Sequence, residues 1–244
     1  MRRLWTGLVM LAALVAVLFI YVGIVLHPSP RAVPAAQALP PPFSHVFVIV
    51  MENQSAAALM TNPGARYIQG LASRYAYDSA YYGVTHPSLP NYVALIAGTT
   101  YGTHSDSPSQ RFSGPTLANQ LDRAGISWQG VMQSLPYAGF DGAWSPGRSE
   151  APPTLYAEKH DPFLLFSDLR RRDRNHIVPL TTLARELTSG RVPRFVFLTP
   201  NLCDDMHGQA SGPDAACPGS NRELLVRDGN DARGIGGDGQ AILA

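Results

Sequence analysis

The sequence predicts an α/β fold in which a mostly parallel sheet carries helices on both faces. Strand-like apolar runs alternate with helix-compatible segments along most of the chain, as expected of such a fold. The strand-like runs are nearly continuous in β-branched and aromatic residues, which is typical of sheets covered on both sides. With 244 residues, 45% of them hydrophobic, the chain is long enough to bury one sizeable core.

Three segments predict strands because β-branched and aromatic residues dominate them. They are HVFVIVMEN (45–53), ISWQGVMQ (126–133) and RFVFLTPN (194–201). Each segment ends in polar residues. In a parallel sheet these ends lie along one edge, where ligands bind in open α/β folds.

Four segments predict helices from the spacing of their apolar residues or from a closing glycine. They span residues 65–76, 92–98, 116–125 and 180–193. Together with the strands, they define a domain over residues 43–229.

The N-terminal segment predicts a membrane anchor. Arg2 and Arg3 precede an uncharged run over residues 4–26, which at about 1.5 Å per residue can span a hydrocarbon core about 30 Å thick. Cleavable signal peptides have shorter apolar regions, so we favour an uncleaved signal anchor over residues 1–27, with a cleaved signal peptide as the alternative. The expected location is the cell membrane with an extracytoplasmic domain, or secretion if the segment is cleaved. A proline-rich linker follows over residues 28–42.

The charge composition argues against a nucleic-acid partner. The formal net charge is +1, Lys159 is the only lysine, and no basic stripe with interleaved aromatic residues is present. Two cysteines, Cys203 and Cys217, could form one disulfide in an extracytoplasmic compartment or remain free. No C-x-x-C pattern supports a zinc site.

Polar residues at the predicted strand ends suggest a site for a divalent metal ion. The first strand is followed by Glu52 and Asn53, and the third by Asp204, Asp205 and His207. Carboxylate and amide oxygens suit a hard divalent cation. Taken alone, Glu52-Asn53 more often forms a turn or a helix cap, and Asp204-Asp205 more often lies in a solvated loop. Gln133, after the second strand, is a weaker candidate.

Ser88 is the candidate nucleophile, in THPSLPNYVALIA (85–97) between two prolines and just before a predicted helix. The ordinary alternative is a Ser-Pro turn. No G-x-S-x-G elbow surrounds the serine, which disfavours an α/β-hydrolase triad. A metal ion could instead activate the hydroxyl, and the free N–H groups of the helix could bind a phosphate.

The segment YAEKHDPF (156–163) predicts a cationic rim for a phosphoryl group. Lys159 and His160 stand next to a proline turn, which we expect to aim them outward, where His207 would join them. A lone loop histidine is more often structural or solvated. His86 and His104 flank the serine segment and are weaker candidates.

Four motifs occur in a characteristic order: VMENQS (50–55), THPSLPNYVALIAGTTYG (85–102), YAEKHDPFLLF (156–166) and TPNLCDDMHG (199–208). In this order they resemble the bacterial phosphoesterases that include acid phosphatases and phospholipases C, within the alkaline-phosphatase-like superfamily. The chain most closely resembles the secreted acid phosphatases of actinobacteria.

The resemblance implies a divalent metal cofactor held by Glu52, Asn53 and Ser88. Ser88 is also the implied nucleophile, which would form a phosphoseryl intermediate. His160 and His207 are expected to contact the phosphoryl group, with Asp205 in support and Lys159 in the substrate-binding rim. The expected substrate is a small phosphate monoester, and a phospholipase C-type reaction on a phospholipid diester is the alternative.

The C-terminal segment departs from the family. Family members continue with a strand that ends in an Asp-Glu or Asp-Asp pair, which supplies the remaining metal carboxylate. Residues 230–244, NDARGIGGDGQAILA, predict an irregular tail without such a strand. We therefore expect an alkaline-phosphatase-like core that is incomplete at its C-terminus, from a truncated or frame-shifted gene product. An inactive, membrane-anchored remnant is the third interpretation of function.

Overall fold

A five-stranded parallel sheet forms the centre of the structure, a computed structural model that describes residues 43–206 and 242–243. The strands lie in the order β5-β2-β6-β1-β7. Their bounds are β1 (Val46–Ile49), β2 (Trp128–Met132), β5 (Ile177–Pro179), β6 (Phe195–Thr199) and β7 (Ile242–Leu243). A separate antiparallel pair consists of β3 (Trp144–Ser145) and β4 (Tyr156–Ala157).

Six α-helices and three 3-10 turns surround the sheet in the described part of the chain. The helices are α1 (Ala56–Thr61), α2 (Arg66–Arg74), α3 (Ser88–Ala97), α4 (Leu117–Arg123), α5 (Ser167–Arg172) and α6 (Leu180–Ser189). The 3-10 turns are Glu158–His160, Pro162–Leu165 and Arg174–His176.

Both faces of the sheet are covered, because successive side chains of a strand point to opposite sides. In β6, Phe197 packs with residues of α3, α4 and the 3-10 turns, whereas Val196 and Leu198 pack with Leu183 of α6. The predicted α/β fold with helices on both faces is therefore confirmed.

Gly130 in β2 allows the turn Pro162–Leu165 to lie directly on the sheet. A Cβ atom at this position would stand 2.9 Å from the ring of Phe163 and 2.8 Å from Cδ1 of Ile177. Real Cβ contacts are not that short, so a side chain here would push the turn away. The turn Glu158–His160, which carries the predicted rim residues, contacts the turn Pro162–Leu165.

The three predicted strands are present as β1, β2 and β6, and the four predicted helices as α2, α3, α4 and α6. Helix α3 begins at Ser88 rather than at the predicted Tyr92. The reason is that a proline such as Pro90 is tolerated in the first turn of a helix, where its missing N–H costs nothing. The three-residue strand β5 was too short to predict.

The tail predicted to be irregular contributes a strand at two residues. Ile242 and Leu243 pair in parallel with Val48 and Ile49 of β1, which corrects the expectation that residues 230–244 contain none. The edge of a sheet presents unpaired N–H and C=O groups, and a short extended segment can form hydrogen bonds with them.

The predicted anchor (1–27), the linker (28–42) and His207 all lie outside the described residues. Within the described part, no helix has the length and apolar character needed to cross a membrane.

Candidate active site

A cavity of about 580 Å³ lies beside the start of α3 and brings two of the sequence motifs together. Its lining includes Glu52 and Asn53, which follow β1, and Ser88. The volume falls in the range of small-molecule sites. The structure thus places all three predicted metal-site residues in one concave surface.

Ser88 is the first residue of α3 and is half-buried. The N–H groups of a helix start lack partners within the helix and carry partial positive charge, which favours an anion. The next N–H, that of Leu89, donates to Oδ1 of Asp106 over 2.9 Å. Asp106 thereby anchors the helix start that carries Ser88.

Asn91 fixes the loop that leads to Ser88. Its Oδ1 accepts the N–H groups of Val84 and Thr85 over 2.8 and 3.3 Å, and its Nδ2 donates to the carbonyls of Thr85 and Pro87 over 2.8 and 2.9 Å. Sequence reasoning missed this residue. Its position three residues after Ser88, on the same helix face, was the available signal.

Glu52 and Asp205 lie close together because they follow the adjacent strands β1 and β6. The N–H of Glu52 donates to the carbonyl of Asp205 over 2.6 Å. Between their carboxylates lies His160, with Nε2 at 3.1 Å from Oε1 of Glu52 and Nδ1 at 3.3 Å from Oδ2 of Asp205. The ends of these two strands therefore converge as the sequence predicts.

The two carboxylates keep His160 protonated. Burial on its own lowers the pKa of the imidazole, but hydrogen bonds and charge from Asp205 and Glu52 outweigh it and raise the pKa to about 9. Both ring nitrogens therefore carry a proton at neutral pH, and each can donate to one carboxylate.

The outward orientation predicted for Lys159 and His160 is wrong. Their residues are only 2% and 3% exposed, because the turn Glu158–His160 packs against α3. The His160 ring stacks on Tyr92 with 4.7 Å between ring centroids, and its carbonyl accepts the Thr199 hydroxyl. His160 does not line the 580 Å³ cavity.

Lys159 holds the start of α3 rather than facing a substrate. Its Nζ pairs with Asp106 at 3.3 Å and with Glu150. Burial alone lowers the pKa of Lys159, yet the two carboxylates outweigh it and raise the pKa above its usual value. Since Asp106 also accepts the Leu89 N–H, the lysine is linked to the backbone next to Ser88.

Tyr92 is a second residue that sequence reasoning missed. It lines the cavity, one helical turn after Ser88, and is 2% exposed. Its hydroxyl has no hydrogen-bond partner among the described residues. Burial raises the pKa of this hydroxyl well above its usual value, and the charges of Glu52 and Asp205 raise it further. The hydroxyl is therefore neutral and can donate a hydrogen bond.

The weaker histidine and glutamine candidates and the two cysteines remain to be placed relative to the cavity. His86 is exposed and lines the cavity, whereas His104 is exposed and lies outside the described lining. Gln133 donates to Asp204 over 2.6 Å and accepts the Asn201 N–H, so it ties together the ends of β2 and β6. Cys203 is buried and disulfide-bonded, and Cys217 lies outside the described residues.

The three predicted metal-site residues have donor types that fit a hard divalent cation, but together they supply a single carboxylate. Glu52, Asn53 and Ser88 offer carboxylate, amide and hydroxyl oxygens. Asn53 adopts a left-handed backbone with φ of 56°, which asparagine tolerates better than most residues. Within residues 43–206, no three His, Cys, Asp or Glu side chains are grouped to hold a metal ion.

Comparison with known proteins identifies the family of this chain. The sequence profile of the Phosphoesterase family matches residues 60–217, which include Ser88, His160 and Asp205. The chain belongs to the phosphoesterase family. The resemblance inferred from the four motifs is confirmed.

Two relatives illustrate the range of this family. The chain is 34% identical over 209 residues to a phosphatidylinositol-3-phosphatase of Mycobacterium tuberculosis, which covers 85% of this chain and 64% of that protein. It is 30% identical over 168 residues to an acid phosphatase of Aspergillus fumigatus, covering 68% of this chain and 37% of that protein. The chain thus spans less than two thirds of the length of these relatives.

Proposed function

We propose that this phosphoesterase domain hydrolyses phosphate monoesters with Ser88 as the nucleophile. The observation that carries the proposal is the position of Ser88, half-exposed at the start of α3 in the cavity that Glu52 and Asn53 also line. The names of the relatives, acid phosphatase and phosphatidylinositol-3-phosphatase, support phosphate ester chemistry.

The proposed reaction has two displacements at phosphorus. The Ser88 oxygen forms a bond to phosphorus while the ester P–O bond breaks, and the departing alcohol oxygen takes up a proton. Water then attacks the phosphoserine, which releases inorganic phosphate and returns a proton to the serine oxygen. The N–H of Ser88 itself would stabilise charge on the phosphoryl oxygens, since the Leu89 N–H is bonded to Asp106 and Pro90 has no N–H.

The other residues have supporting roles in this proposal. Glu52, Asn53 and Ser88 would hold a divalent cation, whose Lewis acidity lowers the pKa of a serine hydroxyl. His160 would orient Glu52 and Asp205, which it contacts directly. His207, by the family resemblance, would contact the phosphoryl group.

We also propose an extracytoplasmic location for the domain. The disulfide at Cys203 supports it, because the cytosol keeps most structural thiols reduced. The apolar run over residues 4–26 supports it as well, since it has the length and flanking arginines of a signal anchor.

The test compares Ser88→Ala with Ser73→Ala in the full chain. Ser73 is exposed on α2 and bonds only a backbone carbonyl of its own helix. With p-nitrophenyl phosphate and each of Mg²⁺, Mn²⁺, Ca²⁺ and Zn²⁺, we expect Ser88→Ala to lower kcat by about 10³-fold or more at unchanged Tm. Acid quenching of the wild type should trap phosphate on the peptide that contains Ser88.

Three outcomes would contradict the proposal. Full activity in Ser88→Ala would exclude this nucleophile. Faster turnover of the p-nitrophenyl phosphorylcholine diester would favour a phospholipase C-type enzyme. A stably folded chain without turnover in the presence of any of the four metals would favour the inactive remnant.

A further inference from the structure

Three tyrosines stand at the mouth of the cavity that contains Ser88. Tyr77, Tyr81 and Tyr82 lie in the connection between α2 and α3, line the cavity, and are 44%, 54% and 77% exposed. Exposed contiguous patches of large apolar side chains commonly mark binding sites. A single aromatic side chain can bury about 150–250 Å² on contact with a partner.

Aromatic packing within the described residues does not hold these rings. Among the described residues, none of the three makes an aromatic ring contact, whereas the interior rings Phe112, Phe163 and Phe166 do. Their exposed fractions leave part of each ring open to a ligand in the described part of the chain.

The tyrosine segment is tied to the same helix as the nucleophile. Asn91 of α3 accepts the N–H groups of Val84 and Thr85, directly after the tyrosines. Because one side chain links the segment to the helix that begins at Ser88, the end of the segment nearest to Ser88 has a defined position. A ligand bound at Ser88 would extend toward these rings.

The cavity has more room than a phosphoryl group requires, and its lining indicates the character of the rest of the ligand. Its lining also includes the apolar side chains of Met51, Leu59, Met60 and Leu95. No arginine or lysine lines it among the described residues, and the carboxylates of Glu52 and Asp78 do. A second phosphate on the ligand would therefore be disfavoured, whereas an apolar ring would be accepted.

We propose that Tyr77, Tyr81 and Tyr82 form a leaving-group subsite that selects phosphate monoesters of ring-containing, uncharged alcohols. The inference rests on the proposed function of Ser88 and adds the substrate class. A lipid surface is the rival occupant of exposed tyrosines. The rings line a concave cavity together with the nucleophile, which favours a small-molecule substrate.

The test compares benzyl phosphate with ethyl phosphate in the full chain. Their alcohols have similar basicity, so a difference in kcat/KM reports on the ring rather than on leaving-group chemistry. The variant is Tyr81→Ala/Tyr82→Ala, and the matched control is Tyr75→Ala. Tyr75 is 57% exposed in the same region but lies outside the described cavity lining.

We expect the double variant to lower kcat/KM for benzyl phosphate about tenfold, with ethyl phosphate changed less than about twofold. The control should change neither. An equal change for both esters, or none, would overturn the subsite. If, in addition, the variant no longer sediments with phosphatidylcholine vesicles, the tyrosines belong to a lipid surface instead.

Calorimetry with benzylphosphonate and ethylphosphonate separates this inference from the proposed function. These phosphonates bind without being hydrolysed. If neither ester nor p-nitrophenyl phosphate is turned over, the proposed function fails, yet tighter binding of benzylphosphonate that is lost in the double variant would still support the subsite. Equal binding of both phosphonates by the wild type would overturn it.

Discussion

Two polar regions next to α3 differ in how far they are exposed. Around the cavity, Ser88 is half-buried, and Asn53 and His86 are exposed. The segment from Glu158 to Asp161 is at most 3% exposed, and each of its four ionisable side chains has a partner. Buried charges are tolerated only when they are paired. The open region can therefore meet a substrate, whereas the closed region holds the open one in place.

The strongest test of the closed region is His160→Gln. It removes the cation between Glu52 and Asp205 and leaves two carboxylates in a buried position. We expect the free energy of unfolding at pH 7 to fall by about 3–5 kcal/mol, as measured by urea denaturation. The exposed His104→Gln should change it by less than about 0.5 kcal/mol. A loss of unfolding free energy as small as that of the control would show that His160 does not stabilise the two buried carboxylates.

Lys159→Met should have a smaller effect. The side chains of its partners Glu150 and Asp106 are 47% and 29% exposed, so water can solvate both carboxylates once the lysine is gone. We expect a loss of about 1–2 kcal/mol in unfolding free energy. The matched control is Arg171→Met, because the Arg171 side chain pairs with Asp168 but is 73% exposed, and it should cost at most about 0.5 kcal/mol. Equal losses of unfolding free energy in the two variants would show that the buried ion pair stabilises the fold no more than the exposed one.

The buried carboxyl of Asp161 should make the stability of the fold depend on pH. Burial raises the pKa of this carboxyl to about 7, against about 3.9 in an unfolded chain. Between these two values the folded state binds more protons, so this group makes the fold less stable as pH rises from about 4 to about 7.

Asp161→Asn should remove that dependence, because the Tyr156 hydroxyl can donate to the amide oxygen as it does to the carboxylate. Between pH 5 and pH 8, the wild type should lose on the order of 2 kcal/mol relative to the variant. Urea denaturation of both proteins at the two pH values measures this. His160 contributes the same pH dependence of stability to the wild type and to the variant, so its effect cancels in the comparison. Parallel pH profiles would contradict the raised pKa.

The smallest effect on stability is expected for Tyr92→Phe, at the boundary between the two regions. The hydroxyl has no partner among the described residues, and the ring that stacks on His160 is retained. We expect unfolding free energy to change by less than about 0.5 kcal/mol, while kcat/KM falls about tenfold if the hydroxyl donates to bound substrate. A change in stability without one in kinetics would assign Tyr92 to the core.

The elements that could be predicted were those with a long local signal. Strands β1, β2 and β6 contain continuous β-branched and aromatic runs, and α6 has a clear apolar face that ends at Gly190. Strand β5 has only three residues, and its pairing with β2 depends on residues about 47 positions away in the chain. Local periodicity carries no information on such a pairing.

The candidate site also combines features with a local signal and features that depend on distant residues. The family, the strand ends and the position of Ser88 just before a helix could be predicted from the sequence, because motif order and apolar runs are local properties of the chain. The burial of Lys159 and His160 became visible only in the folded structure. Their partners Glu52, Asp106 and Asp205 come from distant segments, and a charged side chain can be buried only where the fold brings an opposite charge to it.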